Sequence, residues 1–502
     1  MIEIIDTTLR EGEQTTGVSF AAHEKLSIAQ ALFELGVNRI EIASARVSDG
    51  EFEAVKHIAS IAKRTKHIDK LEVLGFVDGE TSLNWIESAG CHVDNLLCKG
   101  SYKHVTEQLR KTPEQHIADI RELINKATQR GIDINIYLED WSNGMKNSPE
   151  YVFQMIDSLR DLPIRHYMLP DTLGILNPEN TFDYCKQMVT KYPDLKFDFH
   201  AHNDYDLAVA NVFSAIRAGI RGIHTTLNGL GERAGNAPLS SVMAILKDQM
   251  NEETTLHESK INSASRLVET FSGIHIPPNK PIIGEFVFTQ CSGVHADGDS
   301  KDHLYCNDLL PERFGRVREY ALGKTSGKAN IRKNLEALGI DIDESSMRKV
   351  TERIVELGDK KEMVTTEDLP YIVSDVLHHD TISDQRIRVL NYSLSLAQGL
   401  KPMATLKIEI NGEAYEQSAS GDGQYDAFVR ALRKIYSDLG RPFPMLTNYT
   451  VSIPPGGRTD AFVQTIISWN YAGVDFKTRG LDADQIEAAI KATVKMLNKI
   501  EQ

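Results

Sequence analysis

Over its first 245 or so residues the chain alternates short β-branched apolar runs with longer stretches whose apolar residues recur every three to four positions. The runs predict strands at Ile2–Asp6, Arg39–Ala43, Leu71–Phe76, Val93–Cys98, Ile132–Leu138, Arg165–Pro170, Lys196–His200 and Gly222–Leu227. The stretches between them predict helices. In Glu24–Leu35, for example, Ile28, Leu32 and Leu35 share one face and Gly36 closes the C-terminal end. The strands are too apolar to face water on one side, as expected of a parallel sheet covered by helices. Eight units of about 30 residues each fit a (β/α)8 TIM barrel of about 250 residues. A doubly wound open sheet is the alternative. It is disfavoured because eight is the number that closes a barrel and no G-x-G-x-x-G follows the first strand.

Behind the barrel the rhythm breaks. Residues 246–320 mix helix with Pro- and Gly-bearing segments such as Ile276-Pro277-Pro278, and Ala329–Leu377 reads as short helices, one of them (Ala329–Leu338) stopped by Gly339. From about Ile387 the pattern becomes β-rich and repeats. Ala404–Ile410 and Ala414–Ser418 lead through Gly421-Asp422-Gly423 into a helix at Asp426–Leu439. Tyr449–Ile453, Ala461–Trp469 and Val474–Arg479 lead through Asp482-Ala483-Asp484 into a helix at Ile486–Leu497. The expected division is a catalytic barrel at 1–285, linker subdomains at 286–385 and a duplicated α+β regulatory and dimerisation domain at 386–502.

Composition narrows the function classes. Length alone suggests about three domains at roughly 150 residues each. Acidic residues outnumber basic ones, 71 to 56, for a net charge of −15. A surface of that sign repels nucleic acid and anionic membranes. No run approaches the roughly 18 apolar residues needed to span a bilayer, and Met1-Ile2-Glu3-Ile4-Ile5-Asp6 carries no secretory signal. Five cysteines without a C-x-x-C pair point to reduced thiols and a cytoplasmic location.

The chemistry gathers where a barrel keeps it, at the C-terminal ends of the strands. Strand 1 runs into Thr8-Leu9-Arg10-Glu11-Gly12, strand 5 into Glu139-Asp140, strand 6 into Asp171-Thr172, strand 7 into His200-Ala201-His202, and strand 8 into Gly229–Asn236. His200 and His202 stand two apart on a strand, so both imidazoles face one side. Two imidazoles, the Glu11 carboxylate and an Asn236 amide oxygen suit a divalent ion such as Zn, Mn, Mg or Co. Arg10 is a fixed cation beside that set, suited to a developing oxyanion. Glu139 is a candidate base or a structural ion-pair partner. The Thr172 hydroxyl suits a substrate carboxylate or a strand-end cap, and the glycine run Gly229–Gly235 lets backbone approach the pocket.

Three segments in order, Asp6-Thr7-Thr8-Leu9-Arg10-Glu11-Gly12-Glu13-Gln14, His200-x-His202-Asn203-Asp204 and Gly229-x-Gly231-Glu232-Arg233-Ala234-Gly235-Asn236, resemble the DRE-TIM metallolyase superfamily. The chain is most similar to the Claisen-condensing branch of 2-isopropylmalate, citramalate and homocitrate synthases. The resemblance spans essentially the whole chain. It implies a divalent ion on Glu11, His200, His202 and Asn236, a 2-oxo acid chelated to it, and acetyl-CoA as co-substrate whose enolate attacks beside Arg10. It also implies that His295 and Asp297, in Gly293-Val294-His295-Ala296-Asp297-Gly298, form a catalytic segment reaching the partner's barrel in a homodimer. Tyr305 would help hold acetyl-CoA, and an amino-acid effector would bind the C-terminal domain. Whether Glu139 or His295 takes the proton stays open.

Leu74, Leu97 and Tyr137, at the ends of strands 3 to 5, resemble the positions that enclose the methyl of pyruvate in bacterial (R)-citramalate synthases. The expected reaction is therefore pyruvate to (R)-citramalate, in branched-chain amino-acid biosynthesis with isoleucine as effector. The alternative is 2-oxoisovalerate to 2-isopropylmalate, with leucine as effector. Glu11 departs from the Asp usual in these two groups and matches homocitrate synthases, yet Leu74-Gly75-Phe76 offers no cation for a distal carboxylate. A hydroxymethylglutaryl-CoA lyase is disfavoured because Cys291 stands in no Gly-Cys-Pro context, and a non-catalytic sensor because Arg10, Glu11, Glu139 and both histidines are present.

Overall fold

The structure is a computed structural model, described for residues 1–299, 304–359, 364–377, 386–452, 463–482 and 484–501. Eight parallel strands, β1 (Glu3–Asp6), β2 (Arg39–Ser44), β3 (Leu71–Phe76), β4 (Val93–Lys99), β5 (Asp133–Glu139), β6 (Ile164–Asp171), β7 (Phe197–Ala201) and β8 (Gly222–Thr225), pair in sequence order. The barrel closes where β1 meets β8, with Glu3 opposite Gly222 and Asp6 opposite Thr225. Each expected strand is present, its ends shifted by no more than two residues.

Amphipathic helices cover the outside. Asp49–Arg64 shows why they form: Ser48 caps its start by accepting from the Glu51 N–H, acidic residues occupy its first turn and Lys63 and Arg64 its last. Ala54, Val55, Ile58, Ala59 and Ala62 form its buried stripe. Ala22–Leu35 ends where Gly36 turns left-handed at φ 88°, as the sequence predicts. The apolar core lies in this layer between strands and helices, with Ile28, Leu32, Ile40, Ile42, Leu96 and Leu138 all buried. Cys91, Cys98 and Cys185 are buried there too, and burial pushes the Cys91 thiol up to about 12.

The lumen is polar instead. Arg39 on β2 donates through Nε to Glu72 (2.6 Å) and through Nη1 to Asp198 on β7 (2.8 Å). A bond between strands so far apart can only cross the barrel interior. His166 Nδ1 lies 3.0 Å from Asp198, and the Asn95 amide donates to Glu41 (2.8 Å) and Glu72 (3.0 Å). Asn135 donates to Asn95 (2.7 Å) and Glu72 (3.2 Å). Burial alone would raise the Glu72 and Asp198 carboxyls. The Arg39 guanidinium reverses this and holds both below the ordinary carboxylate range.

The chain forms two compact units. One comprises Met1–Gln290 with Gly298–Glu319, and the other Cys291–Asp297 with Tyr320–Gln502. In the second, the helices Lys328–Ala337, Glu344–Asp359 and Leu369–Leu377 share a small core of Leu322, Ile331, Leu335, Met347, Val350, Ile354, Val364 and Leu369. The expected stop at Gly339 is there, with φ 69°. The expected boundary at 385/386 adjoins residues 378–385, which lie outside the described ones.

Two antiparallel three-stranded sheets follow, each trailed by a helix. The first is Ile387–Ser395, Met403–Ile410 and Glu413–Ser420 with the helix Gln424–Asp438; the second is Met445–Ser452, Val463–Tyr471 and Val474–Asp482 with Gln485–Ile500. Both contribute to one core, including Leu406, Ile408, Phe428, Leu432, Trp469 and Met496. The repeat read in the sequence is thus a repeat of structure, with Ile387–Ser395 as a strand the sequence reading did not delimit. Of the expected segments there, Ile453, Ala461, Phe462 and Ala483 lie outside the described residues. Among the described residues no helix is long and apolar enough to cross a membrane.

Candidate active site

The loop after β1 carries two of the expected residues. The Thr8 N–H donates to the Asp6 carboxylate (2.9 Å), and the Arg10 and Glu11 N–H groups both donate to the Thr7 carbonyl, a tight turn that lifts the two charged side chains to the barrel mouth. Burial pushes the Asp6 carboxyl up to about 7. Lys25, fully buried on the first helix, holds the loop from behind through the Leu9 carbonyl (3.2 Å), Glu13 (2.6 Å) and Glu51.

Arg10 is itself anchored. Its Nε lies 2.5 Å from Glu41 Oε2, it is paired with Glu11, and its guanidinium stacks 5.8 Å from the centre of the Tyr137 ring. Beside it, His200 and His202 project from the end of β7 on one side. Their Nε2 atoms are 3.3 Å apart, and His202 Nε2 is 3.7 Å from Glu11 Oε1. All three side chains are buried, and their ligand atoms lie within 4.8 Å of one another. Burial, reinforced by the charges of His202, His224 and Arg10, holds the His200 imidazole well below its usual range; burial also lowers His202. Neutral imidazoles are the form in which histidine binds a metal.

Asn236, on the loop after β8, lies against His202. It forms an isolated antiparallel bridge with His202, and its Nδ2 donates to the Leu230 carbonyl at 3.0 Å. Among the described residues, its Oδ1 is buried and accepts no hydrogen bond of normal geometry. An orphaned buried oxygen costs about 1–3 kcal/mol unless something binds it, and a cation at the Glu11–His200–His202 gap is the fitting partner. Gly231 permits this geometry: its φ is +153°, and a Cβ there would stand 2.1 Å from Asn236 Nδ2.

Tyr137, Leu74 and Met168 form a small buried apolar cluster of their own, with Leu97 packed against it. The Tyr137 ring meets the His200 ring edge-on, with centroids 5.9 Å apart. Leu74, Leu97 and Tyr137 thus lie together, with Met168 beside them. Glu139 and Thr172 stand on the neighbouring strand ends with partners of their own. Glu139 is paired with Lys99, and the Thr172 hydroxyl accepts from the Asp140 N–H at 2.9 Å. His295 and Asp297 lie exposed on the helix Gly293–Asp299 in the second unit, and Tyr305 is exposed in the segment 298–319 of the first.

Besides the Arg39 cluster, the lumen residues near the site that went unread in the sequence include Glu41, Asn95, Met168 and His224. A signal for the first was present. Arg39 and Glu41 alternate with Ile40 and Ile42 in a strand whose helix-facing side is apolar, so a charged pair two apart marks the lumen.

Residues 1–268, more than half of the chain, match the HMGL-like family. The chain belongs to the HMGL-like family. Behind the HMGL-like barrel, residues 282–362 match the homocitrate synthase post-HMGL domain-like family, and 363–501 match the LeuA allosteric (dimerisation) domain. Relatives of this HMGL-like chain include a putative (R)-citramalate synthase of Methanopyrus kandleri, 34% identical over 92% of this chain and 88% of the relative. The (R)-citramalate synthase of Methanocaldococcus jannaschii is 31% identical over 100% of this chain and 99% of its own. The 2-isopropylmalate synthase of Pyrococcus furiosus is 34% identical over 100% and 99%. The last two alignments run essentially from end to end of both chains.

Proposed function

We propose that the chain is an acyltransferase that condenses acetyl-CoA with a 2-oxo acid, pyruvate before others, giving (R)-citramalate and free CoA. The observation that carries this reading is the buried cluster of Glu11, His200 and His202 with Arg10 paired to Glu11, set against Tyr137, which packs in turn with Leu74, Leu97 and Met168. A divalent ion on Glu11, the two Nε2 atoms and Asn236 Oδ1 would supply Lewis-acid polarisation of the keto group. Arg10 holds a fixed positive charge where the keto oxygen becomes an oxyanion. The acetyl methyl loses a proton and its carbon bonds to the keto carbon. That oxygen is then protonated, and water cleaves the thioester to release CoA. Glu139, held by Lys99, and His295 are the two groups the reading offers for the methyl proton.

The apolar wall suits a methyl, and none of its four members offers a cation to a second carboxylate. Relatives named for citramalate and for 2-isopropylmalate synthesis both align along the whole chain, so 2-oxoisovalerate is the second reading. The LeuA match supports a homodimer with an amino-acid effector at the C-terminal domain, isoleucine under the pyruvate reading. Buried thiols in the core fit work in the cytoplasm. The test supplies acetyl-CoA with pyruvate or 2-oxoisovalerate and follows free CoA with a thiol reagent. A higher kcat/KM for pyruvate supports the reading; a higher value for 2-oxoisovalerate overturns the substrate, and no CoA release with either overturns the reaction.

Gly231→Ala is expected to push the Asn236 amide aside, because the new methyl would overlap it. Titration of the metal-stripped variant with Mn or Zn should show affinity reduced roughly tenfold, the scale of losing a supporting contact at a metal site.

A further inference from the structure

Beneath the mouth, the imidazole of His224 on β8 sits between His200 and Asp198. His200 presents Nε2 to the gap it shares with His202 and Glu11, while its Nδ1 stands 3.3 Å from Nδ1 of His224. Two facing ring nitrogens at that distance hold one proton between them: one donates and the other accepts. His200 Nε2 can receive a cation only if it is bare, which places the His200 proton on Nδ1 and makes His224 Nδ1 the acceptor. The remaining His224 proton then sits on Nε2, which faces Asp198 Oδ2 at 3.9 Å. Asp198 is kept an anion by Arg39 Nη1 at 2.8 Å. The hydrogen bond in this chain is the one between the two imidazoles; the Asp198 carboxylate, 3.9 Å from His224 Nε2, acts on it only as a nearby negative charge.

The rings are also held against rotation. His224 is buried, and Tyr137 meets both imidazoles edge-on with centroids 5.9 Å apart, at 63° to His200 and 78° to His224. His200 and His224 cross at 82° with centroids 5.2 Å apart.

We propose that His224 is a positioning residue: by accepting from His200 Nδ1–H it fixes the His200 tautomer and aims Nε2 at a divalent ion. This rests on the metal-site reading above and adds to it a residue that never touches the ion. Metal-bound histidines commonly donate their second N–H to a carboxylate, carbonyl or water; here a second imidazole takes that place.

The test uses the full-length protein stripped with a chelator and titrated with Co(II), read by its visible absorption and by competition with a chromophoric chelator. His224→Leu fills the space without an acceptor, whereas His224→Asn returns an amide oxygen near the Nδ1 position. The leucine variant is expected to bind Co(II) about 10–100-fold more weakly and to show an altered visible band. The asparagine variant is expected to keep the affinity and band of the unaltered protein. Equal Co(II) affinity in the leucine variant, or an asparagine variant as weak as the leucine one, overturns the proposal. His224→Ala with and without added imidazole asks the same question if leucine prevents folding: restored affinity supports the role, and no restoration opposes it. His200→Ala separates the two levels, because undiminished Co(II) binding in that variant overturns the metal-site reading and this proposal with it.

Discussion

Replacing Arg10 by Lys is expected to cut kcat for CoA release about 100- to 1000-fold while the bound metal remains. That is the range lost when one preorganised donor to a developing oxyanion is removed. Arg10 is held from three sides, by Glu41 at 2.5 Å, by Glu11 and by the Tyr137 ring. Its remaining N–H groups therefore have a fixed direction before substrate arrives. An ammonium keeps the charge and loses the planar fork, so it cannot satisfy both carboxylates and still face the keto oxygen. Because the interaction strengthens as charge moves onto that oxygen, kcat should fall far more than KM rises. Steady-state kinetics with metal analysis of the same sample checks it; a kcat within tenfold of the unaltered enzyme would contradict the role.

The second large effect concerns stability. Arg39→Met is expected to destabilise the barrel by about 3–5 kcal/mol at neutral pH, the usual consequence of removing one partner from a buried ion cluster. Glu72 and Asp198 would lose the cation that holds them as carboxylates inside the lumen. A cost of that size lowers the melting temperature by roughly 10 °C. The pH dependence gives the cause away. In the unaltered protein both carboxyls are held below their ordinary range, so their contribution is complete above about pH 4 and is lost as pH falls through the folded-state values. Without Arg39 burial raises them. The deficit should then be greatest near neutrality and shrink as the pH drops and the stranded carboxyls take up protons. Thermal unfolding of both proteins between pH 5 and pH 8 measures this, and a pH-independent difference would argue against it.

The barrel was legible because its strands are short β-rich segments with buried apolar residues, spaced between amphipathic helices, and such a pattern needs no knowledge of distant partners. The H-x-H pair was legible for the same local reason: a spacing of two on a strand fixes which way two side chains face. What lay beyond reach depends on barrel closure. Nothing local says that Arg39 will meet Asp198, 159 positions away, or that His224 will stand behind His200. Met168 was missed because an apolar residue inside a strand reads as core, and only closure shows that it faces Tyr137 and Leu74. Glu139 had two readings from the sequence, base or ion-pair partner; the structure adds Lys99 against its carboxylate. His295, Asp297 and Tyr305 rested on resemblance, since spacing alone gives an isolated His-x-Asp no assignment.

Anomalous diffraction from crystals of the full-length protein soaked in Mn or Zn tests the central claim most directly. The account predicts one strong peak about 2.0–2.2 Å from Nε2 of His200, Nε2 of His202 and a Glu11 oxygen, with Asn236 Oδ1 turned toward it. A peak elsewhere, with those three side chains bound only to one another or to water, would contradict it.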